Sequence, residues 1–122
     1  MRAFMIEDER LLQILLIAHR TSMRGEGVSL RQALADAEYR TLRPDLAVND
    51  IRRVLDSHSE LIDQWVRYSE DKRTDGGWYL KASDSSIGSL AERAEIRFGS
   101  VADAVANYAI RELDFWSGIG AT

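Results

Sequence analysis

The stretch DLAVNDIRRVLDSHSELIDQWVRYSEDKRTDGGWYLK, residues 45–81, decides the fold. In its first part Val48, Ile51, Val54 and Leu55 recur at helical spacing, with Asn49, Asp50, Arg52, Arg53 and Asp56 on the other side. That spacing predicts a helix over about 46–58, with Asp45 as its N-cap. From Leu61 the pattern changes, and the β-formers Ile62, Trp65, Val66 and Tyr68 predict a strand over about 61–69. Asp75, Gly76 and Gly77 supply the positive-φ residues of a hairpin turn, and a second strand returns over about 77–82. The tip between the strands, Glu70 to Asp75, is mixed in charge.

Working outward, residues 4–22 read as a first helix on which Leu11, Leu12, Ile14, Leu15, Leu16 and Ile17 leave little polar surface. Glu7, Asp8 and Glu9 sit in its first turns, where the helix dipole favours anions. Gly25 and Gly27 end it. Ser29 and Gln32 form a capping box that opens a second helix over about 30–39, with Leu30, Ala33, Leu34 and Ala37 on one face. Pro44, the only proline, biases Arg43 out of helical geometry. Beyond the hairpin, Ser83 to Ser86 is a polar link. A fourth helix is predicted from Ile87 through Leu90, Ala91, Ala94 and Ile96 to about Arg97, with Gly99 past its end. Ser100 caps a fifth helix with Asp103 in its first turn. Val101, Val105, Tyr108 and Leu113 line its apolar side, and Ala102, Ala106 and Ala109 form a small-residue strip beside them. Gly118 to Thr122 reads as a fraying tail. The expected class is mostly α with a small β-hairpin, divided into a core over 1–82 and C-terminal helices over 83–122 within one compact domain.

Composition narrows the function. The 122 residues suffice for one domain, and 45% apolar content marks a globular chain. Without cysteine there is no disulfide, thiolate metal site or cysteine nucleophile, and with only His19 and His58 no histidine-based zinc site is expected. No cofactor is expected. The apolar run from Leu11 to Ala18, broken by Gln13, is far short of the roughly 20 residues that cross a bilayer. No signal peptide is recognised, so an intracellular, cytoplasmic protein is expected. Net charge is −4, with the acidic excess mostly in residues 83–122. Between 40 and 53, however, four arginines stand against Asp45 and Asp50. No phosphate loop or nucleophile elbow occurs. Ser57 and His58 are neighbours on a helix and do not face each other, and His58 fits a helix-terminal cation. No enzyme is expected.

Three helices followed by a hairpin, with AVNDIRRVLDSHSELI (residues 47–62) as the third helix and its exit, resemble the winged helix-turn-helix superfamily of prokaryotic transcriptional regulators. The resemblance covers roughly residues 4–82. It implies DNA binding, with Asn49, Arg52 and Arg53 facing the major groove and Arg67, Lys72 and Arg73 on the wing touching backbone. Arg43, in the same basic stretch, joins that set. Arginine can bond guanine bidentately and asparagine can bond adenine, which suits these residue types to groove reading. The bland alternative for Arg52 and Arg53 is a solvated helix face.

Two functions are therefore carried forward. One is a transcriptional regulator that binds double-stranded DNA through helix 46–58. The other is a winged-helix protein-interaction module, a subunit or inhibitor of a larger complex. A homodimer is expected through Val101, Ala102, Val105, Ala106, Tyr108, Ala109 and Leu113, the alanines letting a partner helix come close. The competing expectation is that these helices fold back and complete a monomer core.

Overall fold

Leucine and isoleucine recur at 11, 14, 15 and 17. In the computed structural model these positions form the buried face of α1, Asp8–Met23. The structure describes residues 7–23, 29–71, 77–89 and 95–119, without the side chains of 18–23 and 71. Helix α2, Leu30–Asp36, starts after Ser29, whose hydroxyl accepts from the Gln32 N–H at 3.1 Å; only this half of the expected capping box forms, because Gln32 Nε2 donates to Asp36 Oδ1 at 2.9 Å. The helix stops earlier than expected, because Glu38 adopts a left-handed conformation (φ 58°) and restarts the chain as the short α3, Tyr39–Leu42. A 3-10 turn through Arg43–Asp45 carries Pro44.

Helix α4, Val48–Ser57, buries Ile51, Val54 and Leu55 as its spacing predicted. Its N-cap is Ala47, not Asp45. Asp50 reaches back, and its carboxylate accepts from the Ala47 N–H at 2.9 Å, half of a capping box. That role draws Asp50 inward, so it is buried rather than on the solvent side.

The strand expected over 61–69 is a helix. After His58 and Ser59 the chain forms α5, Glu60–Asp71, and is helical through Trp65. This overturns a wing that follows directly on helix 46–58. The reason lies in periodicity. Leu61, Trp65 and Tyr68 are buried at i, i+4 and i+7. A strand would put Asp63 and Arg67 on the same face as Leu61 and Trp65, burying two charges.

The antiparallel pair lies later in the chain. Strand β1, Trp78–Lys81, pairs with β2, Ser86–Ser89, which pairs with β3, Glu95–Arg97. Gly77, at φ 84°, leads into β1. The fourth helix expected over 87–97 is thus corrected at both described ends; Leu90, Ala91 and Ala94 lie outside the described residues. Ile87 is fully buried and stands opposite Leu80 on one side and Ile96 on the other. On the outer face Tyr79, Gly88 and Glu95 are in register. The Tyr79 ring crosses Gly88 so closely that a Cβ there would fall 2.3 Å from it. A side chain at 88 would force the Tyr79 ring to shift, and glycine lets the ring lie over the strand.

Helix α6, Val101–Trp116, runs through the centre. The Ser100 hydroxyl caps it, accepting from the Asp103 N–H at 3.2 Å. It packs against α2, α4, α5, β1 and β2. Val105, Ala106, Tyr108, Ala109 and Leu113 are fully buried inside the one chain, Ala102 is buried, and Val101 is half-buried. The surface expected to form a dimer is therefore the chain's own core. The alanines let α4 and the sheet approach α6, the role assigned earlier to a partner helix. Residues 1–82 and 83–122 share one apolar cluster running from Leu11 to Leu113. Of the expected tail, Gly118 and Ile119 form a cap, and residues 120–122 lie outside the described residues. The Gly118 N–H bonds to the Phe115 carbonyl at 3.1 Å and the Ile119 N–H to the Asp114 carbonyl at 2.8 Å, with Gly118 at φ 73°. That pattern is a Schellman cap, and Ile119 packs on the core. The protein is mostly helical with a small three-stranded antiparallel sheet. No described helix is long and apolar enough to cross a membrane.

Candidate interaction surface

Three of the arginines singled out for DNA, Arg43, Arg52 and Arg53, are placed by α4 and the turn before it, and each meets a carboxylate. Arg43 Nε donates to Asp114 Oδ1 at 2.8 Å and its Nη1 to the Leu46 carbonyl at 3.1 Å. The Tyr39 hydroxyl donates to the same Asp114 oxygen at 2.7 Å, and burial first, then Asp114, holds that phenol well above its ordinary pKa. Arg52 Nε donates to Asp56 Oδ1 at 3.0 Å, and its Nη1 donates to Asp103 on α6. The bond to Asp56 first and that to Asp103 second raise the guanidinium pKa against a small desolvation penalty. Arg53 donates twice to Asp8 Oδ1 on α1, at 2.6 and 3.1 Å, and once to Asp50 Oδ1 at 3.2 Å. Arg52 and Arg53 thus pin α4 to α6 and to α1. Asn49 is exposed.

Arg67 lies on helix α5 and not on a strand. It is exposed on one face with Glu60, Asp63 and Glu70, three acids to one base. Lys72 and Arg73 lie outside the described residues. The expected DNA set is therefore not brought together as one open basic surface: three members are ion-paired and one sits among acids.

Glu112 is one of the acids behind the negative excess of residues 83–122. It is fully buried. Its Oε2 accepts from the Tyr68 hydroxyl at 2.7 Å and from Trp116 Nε1 at 3.0 Å, and its Oε1 accepts from the Trp78 backbone N–H at 2.9 Å. One carboxylate so joins α5, β1 and α6. Burial, then the Glu112 charge, pushes the pKa of Tyr68 far up, and the same two causes raise that of Tyr108. Trp65 meets Tyr68 and Tyr108 edge-on, with centroids 5.4 and 6.0 Å away, and Tyr68 and Tyr108 are tilted to each other at 6.4 Å. The available signal was position: Glu112 falls four residues after Tyr108 and four before Trp116, on the apolar side of α6.

The bond to Glu112 turns the indole N–H of Trp116 inward, and the Schellman cap fixes the chain just beyond. Trp116 thereby becomes a fixed wall of a cleft of about 380 Å³. Helix α2 supplies Arg31, Leu34 and Ala35, α3 supplies Arg40, and Ser117 and Gly118 complete it. The Arg31 guanidinium lies 5.9 Å from the Trp116 ring centroid. Phe115, at 37% exposure an apolar residue open to solvent, contacts Trp116 edge-on at 5.1 Å. Among the described residues neither Arg31 nor Arg40 has a carboxylate partner.

No family model, curated protein or solved structure matches the chain.

Proposed function

We propose that this chain is a protein-interaction module and that α4 does not read DNA. The observation that carries the reading is the commitment of Arg52 and Arg53 to Asp56, Asp103, Asp8 and Asp50. A groove-reading arginine must offer its fork to guanine or phosphate. Here DNA would have to displace Asp103 and Asp8, which also hold α4 to α6 and α1. A second arrangement with α5 as reading helix, entered through His58 and Ser59 and followed by β1 and β2, fares no better. Its exposed face would bring Glu60, Asp63 and Glu70 against phosphate, with Arg67 alone in support. The net charge of −4 agrees. The exposed Phe115 and the half-buried Trp116 beside Arg31 have the composition of protein-binding hot spots.

The test is a titration of a fluorescently labelled random duplex with the full chain. The expected result is no saturable anisotropy change at micromolar chain, even at about 50 mM salt, where counterion release favours binding most. Tagged chain should also keep a protein partner through nuclease digestion. Duplex binding that collapses as salt rises would overturn the reading.

A further inference from the structure

We infer that the cleft between α2, α3 and the end of α6 is a recognition site for an acidic peptide segment of a protein partner, one carrying a carboxylate next to an apolar side chain. This rests on the reading of the chain as an interaction module and names the site and chemistry.

Charge complementarity carries the inference. Arg43, Arg52, Arg53 and Lys81 each pair with a carboxylate. Among the described residues Arg31 and Arg40 have no carboxylate partner, which is true of Arg67 and Arg97 as well, but only Arg31 and Arg40 are brought to one cleft, from two helices. Two guanidinium forks at one opening match the two oxygens of a carboxylate. Arg31 is held over Trp116 by attraction to the ring, which leaves its N–H edge free to donate. The Trp116 wall and Ala35 from α2 offer apolar surface beside those donors, with Leu34 buried beneath them. Trp116 is already immobilised by Glu112, so little side-chain freedom is lost on binding.

A peptide suits this cleft better than a nucleic-acid strand. At about 380 Å³ it takes a side chain or two and not a run of phosphates. A polyanion follows a continuous basic groove, whereas Asp36 and Glu38 stand exposed between the two arginines in sequence. The carbonyl end of α6 adds its partial negative charge on the other side. One carboxylate held by two arginines tolerates these neighbours; a phosphate chain leaving the cleft would not.

The experiment uses the 15N-labelled full chain and three probes: a capped hexapeptide alternating glutamate and leucine, the same peptide with glutamine for glutamate, and a thymidine hexanucleotide. The expected result is saturable shifts of the Trp116 indole N–H and of the Ala35 and Gly118 amides with the glutamate peptide only. Arg40→Gln and Arg31→Gln should each weaken binding about tenfold, and both positions are exposed, so the fold should survive. No shift at millimolar glutamate peptide would overturn the proposal, as would equal shifts with the glutamine peptide or stronger shifts with the hexanucleotide. If the cleft fails while duplex DNA also leaves the chain unbound, only the site is wrong; if duplex DNA binds, the interaction reading itself falls.

Discussion

Replacing Glu112 by glutamine tests whether the buried carboxylate holds α5, β1 and α6 together. Glutamine keeps the size and removes one acceptor. If its carbonyl takes the Oε2 position, Tyr68 and Trp116 keep their acceptor, and the Trp78 N–H faces an NH2 group. If the amide is turned over, the Trp116 N–H faces the NH2 group; only the Tyr68 hydroxyl can rotate to accept. Either way one buried N–H is orphaned, at about 1–3 kcal/mol. The remaining bonds lose their charge assistance, while neutralising a buried anion returns part of its desolvation cost. The net loss should be about 2–4 kcal/mol, a large share of the roughly 5–15 kcal/mol expected for a domain. Urea unfolding followed by tryptophan fluorescence should show the midpoint lower by about 1–2 M at an unchanged slope. Glu95→Gln, at an exposed and solvent-screened pair with Lys81, should leave the midpoint almost unmoved. A midpoint shift for Glu112→Gln as small as that of Glu95→Gln would refute the reasoning.

Further outcomes follow from the same core. Tyr39, Tyr68 and Tyr108 have their pKa values raised above the ordinary 10.0, chiefly by burial. The folded chain keeps protons that the unfolded chain releases, so their stabilisation is complete below pH 10.0 and is lost as pH rises above it. The fall should reach about 4 kcal/mol per pH unit for the three together, and tyrosinate absorbance from them should appear together with loss of helical circular dichroism. Gly88→Ala should destabilise by about 1–3 kcal/mol through the clash with Tyr79, and Tyr79→Ala in the same chain should recover part of it in urea melts. Deleting residues 98–122 removes α6 and should leave an unfolded chain by circular dichroism; a folded truncated product would contradict the placement of α6 at the centre.

Much of the helical architecture was legible. The Ser29 and Ser100 caps and the apolar spacings of α1, α4 and α6 each follow from a local rule that the packing leaves intact. The misplaced sheet shows where local rules compete. In α5, Ile62, Trp65, Val66 and Tyr68 are β-formers by type but helical by period, and period won because it alone keeps Asp63 and Arg67 out of the core. Over 87–97 the spacing of Ile87, Leu90, Ala91, Ala94 and Ile96 suggested a helix, while Gly88, needed under the Tyr79 ring, carried the contrary signal. The DNA set failed for a different reason. Arg52 and Arg53 do lie on the polar side of α4, but Asp8 and Asp103, which claim them, are 45 and 51 residues away. No periodicity shows such pairings. The cleft was equally hidden, since Arg31, Arg40 and Trp116 meet only after α6 has folded back against α2.

The claim on which the account turns is that the arginines of α4 are committed inside the chain. It is tested most directly by the arginine side-chain N–H spectrum of the 15N-labelled protein, recorded with and without equimolar duplex DNA at low salt. Arg43, Arg52 and Arg53 each donate through Nε to a carboxylate, so the account predicts three protected Nε–H signals that stay in place when the duplex is added. Shifts or broadening of the Arg52 and Arg53 signals on adding duplex would show that DNA takes them from Asp103 and Asp8, and would contradict it.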